Sequence, residues 1–443
     1  MKQLLRSLRD RLLGLNTVYI RFDALHHEIE TTLASIYRAL SSIQSFESNG
    51  VTRRPSPSDK NTKTQGFRRH PAIAQSGENA HNGPIVDRIG FLVHSLELTN
   101  HFGCVWNHLP PDRFDIILHD NMRAAGADVF SVWKCNIETS ERIIETNTKY
   151  RFLVSNHPVS LFNEPLVKKL AITNIRFMYS AGKTGWNFSA WNSLYDIIMC
   201  FGPYHASWFA QTSEAMIVQM GYPRFDKYFT STPDLPSLRK KFGCDPQKKT
   251  VVWLPTWKSL SSVGHFDEEI AGLYKNYNVI VKVHPLMPEN EPEKIESLKK
   301  ERFNCVITDP VDNLPLYQLA DFMLFDYGGP PLAGIYTDKN MILCNIPEAE
   351  SDDLTGEESP DIVIRDYIEN VDVNDHGIAD LLNNPVVWQN QKRERQMLRN
   401  FYFAPYFGFS SNIAASFLLG LEHIIGTGEI NDGDLVDWPF RIG

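Results

Sequence analysis

Apolar residues recur every seven positions at the start of the chain. One seam runs Leu5, Leu12, Tyr19, His26, Leu33, Leu40, and the other Leu8, Leu15, Phe22, Ile29, Ile36, Ile43. A heptad sustained this long predicts a coiled-coil helix over 1–45. Such a helix buries its stripe against a partner, so homo-oligomerisation through residues 4–43 is expected. A helical hairpin folding on itself or on the body is the alternative. Gly14 and Thr17 weaken the helix locally, and His26 at a seam position tunes register. Over 46–83 the period is lost and Ser, Asn, Pro, Gly, Arg and Lys dominate, which predicts a flexible linker.

From Arg88 short apolar runs alternate with helical patterns. Ile89–His94, Phe114–His119, Tyr150–Ser155 and Leu194–Cys200 read as strands, and Leu98–Leu109 as a helix. A Pro- and Lys-rich passage, Thr232–Lys249, reads as a hinge. The rhythm then resumes with Thr250–Leu254, Asn278–Val283, Phe322–Phe325 and Asn340–Asn345. Strands alternating with helices predict parallel sheets with covered faces. The expected fold class is therefore α/β, with two Rossmann-like domains over 84–235 and 236–425 and a cleft between them. Ile378–Leu382 and Pro385–Arg399 read as helices. Asn400–Ile425 is expected to return to the first domain, and 426–443 is an acidic tail.

The apolar runs end abruptly in residues able to bind phosphate or sugar, and ligands of parallel sheets bind beyond the carboxyl ends of the strands. Thr250–Leu254 runs into Pro255-Thr256-Trp257-Lys258, a hydroxyl, an indole and a cation in one loop. Asn278–Val283 runs into His284-Pro285, with Lys282 two residues before the histidine and so on its face of the strand. Proline biases the residue before it away from the helical region, which holds His284 at the strand end. Phe322–Phe325 runs into Asp326-Tyr327-Gly328-Gly329, where glycine amides and a helix N-terminus suit a phosphate. His157-Pro158 repeats the His-Pro arrangement in the first domain and would face the cleft from the other side. It is the candidate general base, and a structural histidine is the plainer reading. His94, His101 and His119 rank lower because no second signature accompanies them.

Composition adds exclusions. The net charge of −9 disfavours nucleic acid as a partner. Residues 1–82 carry 12 Lys+Arg against 7 Asp+Glu, a balance of +5 that leaves −14 on the remainder, so the basic arm suits an anionic membrane or polymer. Six scattered cysteines without CxxC spacing argue against a metal site or a disulfide framework and fit a reducing cytosol. Met1–Leu15 is too charged for a signal peptide, and no run of roughly 18 apolar residues occurs. The expected location is cytoplasmic, with peripheral contact at the inner face of the plasma membrane.

In order along the chain, these residues resemble the CDP-glycerol glycerophosphotransferases, the teichoic-acid primases and polymerases. Gly221-Tyr-Pro223-Arg224-Phe-Asp226 stands for that family's Gly-Tyr-Pro-Arg-Asn-Asp, and Pro255-Thr-Trp-Lys258 for its Pro-Thr-Trp-Arg. Lys282-Val-His-Pro285 stands for its Arg/Lys-x-His-Pro, Leu316-Tyr-Gln-Leu-Ala-Asp321 for its Leu-Tyr-x-x-x-Asp, and Asp326-Tyr-Gly-Gly329 for its Asp-Tyr-Ser-Ser. Asn156-His-Pro158 occupies the place of its His-Gly segment, and Tyr406–Ser411 is a fainter echo.

The resemblance implies a GT-B fold whose first domain takes the acceptor and whose second binds the CDP donor. It also implies metal-independent transfer without a cofactor, with His157 as base and His284 on the donor diphosphate. The implied function moves a glycerol-phosphate or other polyol-phosphate unit from a CDP-activated donor onto a cell-surface polysaccharide or a lipid-linked glycan precursor. Gly328-Gly329 departs from the serine pair and matches the Asp-Ser-Gly-Gly of UDP-N-acetylglucosamine 2-epimerases, which share the fold. Lys258 in place of Arg loses the bidentate fork. A nucleotide-sugar glycosyltransferase of capsule or O-antigen synthesis, a UDP-sugar epimerase-like enzyme and an inactive GT-B scaffold are the alternatives.

Overall fold

The first sheet is built from strands whose inner positions are almost entirely apolar. In chain order these are β1 (Ile85–Val93), β2 (Phe114–Leu118), β3 (Asn136–Thr139), β4 (Lys149–Ser155), β7 (Ala171–Phe177), β8 (Ile197–Cys200) and β9 (Met216–Gln219), while β5 (Ser160–Leu161) and β6 (Glu164–Pro165) form a separate antiparallel hairpin between β4 and β7. The sheet order is β3-β2-β1-β4-β7-β8-β9, and every pairing is parallel. The second sheet comprises β10 (Thr250–Leu254), β11 (Asn278–Lys282), β12 (Cys305–Ile307), β13 (Phe322–Phe325), β14 (Asn340–Asn345) and β15 (Asn370–Asp372), ordered β12-β11-β10-β13-β14-β15 and again all parallel. Each sheet thus reverses its order beside its first strand, between β1 and β4 and between β10 and β13. Such switch points open a crevice at the carboxyl ends.

This computed structural model describes residues 81–119, 122, 127–161, 164–347, 349, 355–356 and 358–427, all within one compact unit that spans Arg69–Gly443. The expected coiled coil, the linker up to residue 80 and the tail from residue 428 lie outside the described residues. Among those described, no helix is long and apolar enough to cross a membrane.

The two sheets share a continuous apolar core, and the Gly221–Asp226 segment lies in it. Phe225 packs edge-on against Tyr317 of the second domain at 5.1 Å, and Tyr222 meets Tyr336 at 5.5 Å and stacks on Phe403 at 5.8 Å. Gly221 adopts a φ of +73°, and a Cβ there would stand 2.2 Å from Ser410 Oγ, so the turn admits only glycine. A hydrophobic junction of this kind restrains domain motion more than a polar one.

The chain then leaves the second domain through the helix Pro385–Tyr402 and returns. Ala404 N–H donates to the Phe201 carbonyl at 2.9 Å. The last helix, Ser410–Thr427, is capped from the first domain: Asp226 accepts the amides of Ser410 and Ser411 at 3.0 and 2.6 Å. A capping carboxylate satisfies amides that the helix itself cannot, and it complements the helix dipole.

Asp226→Ala is therefore expected to lower stability by about 2 kcal/mol, the scale of charged hydrogen bonds lost from a buried cap. The midpoint of urea unfolding measures this; an unchanged midpoint would remove the cap from the list of forces that close the fold.

Candidate functional site

The two His-Pro corners have the same local geometry. Proline has no N–H, so the first amide able to reach back to the ring belongs to the residue after it. Val159 N–H donates to His157 Nδ1 at 3.1 Å, and Leu286 N–H donates to His284 Nδ1 at 3.2 Å. A neutral imidazole that accepts at Nδ1 carries its hydrogen on Nε2. Both rings therefore present an Nε2–H. Val159 reaches this position only with a φ of +46°, a strained conformation for a β-branched residue, and such strain concentrates at functional sites.

Each corner is enclosed by aromatic or basic neighbours. His284 stacks face to face on Trp257, with centroids 5.2 Å apart and planes 5° from parallel. Burial, then the charge of Lys282, push its pKa down to about 4, with Glu291 opposing. His157 lies 4.3 Å from the His94 ring and 5.8 Å from Trp186. Burial, then His94, Arg176 and His119, push it down to about 4 as well. Both rings are neutral near pH 7, which suits a hydrogen-bond donor or a base and excludes a resident imidazolium.

The remaining predicted residues divide into those at the surface of the loops and those beneath them. Thr256 and Trp257 are half-buried, and Lys258 is exposed with a φ of +61° and its Nζ 4.3 Å over the Trp257 ring. Asp326 is fully buried. Its carboxylate accepts from Thr256 N–H, Ser262 N–H, Ser262 Oγ–H and Tyr327 N–H, all at 2.8–2.9 Å. Burial raises its pKa to about 6 against those donors. It thus ties the β10 loop to the β13 loop and leaves ligand contact to residues above it. Tyr327 is buried under the Arg365 guanidinium, 3.9 Å from its ring centre.

Two of the predicted residues are engaged within the protein. The Gly328 amide, expected to face a phosphate, donates at 2.7 Å to Asp361 Oδ2. Pro330 and Pro331 open the following helix, so its first two positions bring no N–H. Gly329 is therefore the one amide of the glycine pair not engaged by Asp361. The carbonyl of Gly328 is met by the first domain, where a Cβ on Gly182 would stand 2.2 Å from it. Thr184 N–H donates to Ser359 Oγ at 3.1 Å beside this contact, so the two domains meet at the glycine pair.

Lys282 is the second. It is buried, and its Nζ reaches the Val283 carbonyl at 3.4 Å. The charges that act on it are Glu97, Arg224 and Asp312. Arg224 bridges the domains through Glu97 at 2.7 Å and Asp312 at 3.2 Å, and donates to His101 Nε2 at 3.0 Å. Burial opposes its charge, but the two carboxylates raise its pKa further. Lys282 thus sits beside an interdomain ion network.

Two residues ranked lower from the sequence also stand at strand ends. His94 and His119 follow β1 and β2 directly, as His157 follows β4 by two residues, and both act electrostatically on His157. The strand-end rule that selected His157 applied to them equally.

Residues 164–329 match the family model of the CDP-glycerol:poly(glycerophosphate) glycerophosphotransferases, the family that the motifs resemble. No curated protein matches the chain. Among solved structures, the wall teichoic acid polymerase TagF is similar at 16% identity, with 75% of this chain and 88% of that chain covered and a TM-score of 0.54. A single-residue variant of that polymerase, after a 30-minute CDPG soak, gives 15% identity, the same coverage and a TM-score of 0.54. The S. aureus MnaA–UDP co-structure gives 12% identity, coverage of 77% and 98%, and a TM-score of 0.51. These likenesses establish the fold as GT-B.

Both histidines have folded pKa values below their unfolded value of 6.5. The unfolded chain then binds protons first on acidification, so stability present above pH 6.5 is lost as pH falls toward 4. His157→Gln and His284→Gln are each expected to flatten that loss, measured as the urea midpoint at a series of pH values. Parallel curves for variant and native protein would contradict the burial effect.

Proposed function

We propose that the chain transfers a glycerol-phosphate or other polyol-phosphate unit from a CDP-activated donor to a cell-surface polysaccharide or a lipid-linked glycan precursor. The observation that carries this reading is the family match, which spans the His284 corner and the Trp257 loop and ends on Gly329. The CDPG soak of TagF supports CDP-glycerol as the donor.

The chemistry follows from the two corners. The acceptor hydroxyl attacks the phosphorus that carries the polyol. A new P–O bond forms, the bond to the CMP oxygen breaks, and CMP leaves. His284 Nε2–H donates to the diphosphate where charge builds in the transition state, and Trp257 holds the ring in place. Gly329 N–H and the Lys258 ammonium add positive potential. His157 faces the hydroxyl from the first domain. To take its proton at Nε2, the ring must move its own hydrogen to Nδ1 and give up the Val159 amide. That costs about 1–3 kcal/mol. A general base supplies roughly 10²–10⁴-fold, or about 3–5 kcal/mol, so the base role survives the cost.

The reading extends to the rest of the chain. Residues 4–43 would hold copies together, and the basic arm would bring the enzyme to an anionic surface that carries the acceptor.

Purified protein, CDP-glycerol or CDP-ribitol and a polyol-phosphate-primed acceptor should release CMP. His284→Gln is expected to cut kcat/KM by about 10²–10³-fold, and His157→Gln to cut kcat by about 10²–10⁴-fold. Turnover of UDP-sugars with no CMP released from either CDP-polyol would overturn the donor assignment in favour of a nucleotide-sugar enzyme.

A further inference from the structure

The first sheet reverses its strand order between β1 and β4, and its carboxyl edge there carries two imidazoles rather than one. His94 follows β1, and Asn156-His157 follows β4. His94 Nε2 lies 2.8 Å from Asn156 Oδ1. A carbonyl oxygen only accepts, so His94 donates its Nε2–H and is fixed as that tautomer when neutral. Its ring then rests 4.3 Å from the His157 ring at 52°, within contact distance. Asn156 is buried at 2% exposure, so the bond it makes is sheltered from water. Both halves of this pair are held in the resting site. One ring is held by a side-chain amide and the other by the strained Val159 backbone.

We infer that His94 is a positioning residue for His157: through Asn156 and through ring contact it sets the orientation of the His157 imidazole and opposes a second positive charge beside it.

This rests on the proposed role of His157 toward the acceptor hydroxyl. Two imidazolium rings in contact repel strongly in a partly dry site, so at most one carries a proton. The groups that act on His157 are His94, Arg176 and His119, and none is an acid. Arg176 is held by the Asn187 carbonyl and by the side chains of Asn187 and Asn192. His119 Nδ1 lies 3.5 Å from Ser140 Oγ. His94 faces His119 as well, and burial followed by that neighbour lowers its own pKa, with the Asn156 bond opposing. Every group that faces His157 disfavours its protonation. His94 has the largest effect of the three, and its ring lies within contact distance of the His157 ring. It keeps the base unprotonated while a phosphate-bearing acceptor, which would favour the charged form, approaches.

The test is an imidazole ¹⁵N and ¹³C titration of full-length native protein, His94→Gln and His94→Phe, beside steady-state kinetics. Gln retains a donor for Asn156 without a ring. Phe retains a ring without charge or donor. In both variants His157 should titrate at a higher pH than in the native protein, because the neighbouring cation is gone. kcat should fall about tenfold with the donor KM unchanged, and the acid limb of the kcat profile should move up in step with the titration. A His157 titration and kcat that stay at native values in both variants would overturn the inference. The spectroscopic arm needs no turnover. Failure of the proposed function would appear separately, as His157→Gln retaining native kcat or as no CMP release by native protein.

Discussion

The carboxylate of Asp226 joins the end of the described chain to its middle. It accepts the first amides of the helix Ser410–Thr427 and so returns the chain to the first domain after it has built the second. Around that bond lies an aromatic junction of Tyr222, Phe225, Tyr317, Tyr336 and Phe403. Arg224, two residues before Asp226, spans from Glu97 to Asp312. A six-residue turn thus supplies a helix cap, a hydrophobic junction and an ionic bridge. It fixes the relation between the two domains on which the proposed joint action of the His157 and His284 corners depends. Phe225 stands where the resembled family has asparagine, and its ring is spent on packing against Tyr317. That departure is structural rather than chemical.

Much of the fold was legible in the sequence because central parallel strands are buried on both faces. β1, β2, β4, β8, β10, β11, β13 and β14 all announced themselves as apolar runs. The unseen strands failed for physical reasons. β3, β12 and β15 are edge strands of three or four residues with polar positions such as Asn136, Glu138, Asn370 and Asp372, because an edge has less to bury. β7 is central, yet it carries Asn174 and Arg176, both fully enclosed. Arg176 is tolerated because Asn187 and Asn192 supply acceptors. Those partners lie 11 and 16 residues away and are invisible to a periodicity rule.

The site was legible where chemistry is local and hidden where it is tertiary. A histidine followed by proline at a strand end could be recognised from three residues. That the Gly328 amide belongs to Asp361 could not, because the two are 33 residues apart and meet through a loop beyond β14. The same holds for the contact of Gly182 with Gly328, which needs both domains in place. The glycine pair looked like a change of ligand specificity. It also has a structural meaning: Gly328 holds a φ of +95°, and a Cβ on Gly329 would stand 3.2 Å from Ser180 Oγ of the first domain.

In both corners the hydrogen-bearing nitrogen is selected by a main-chain amide two residues downstream. Side chains around an imidazole drift over evolutionary time, and each change shifts proton affinity. In the resting site the tautomer is selected by these two amides rather than by those side chains, and reassigning it costs the amide bond. The protein therefore separates two properties that most enzymes tune together: how readily each ring takes a proton is left to its neighbours, and which atom it offers is written into the path of the chain.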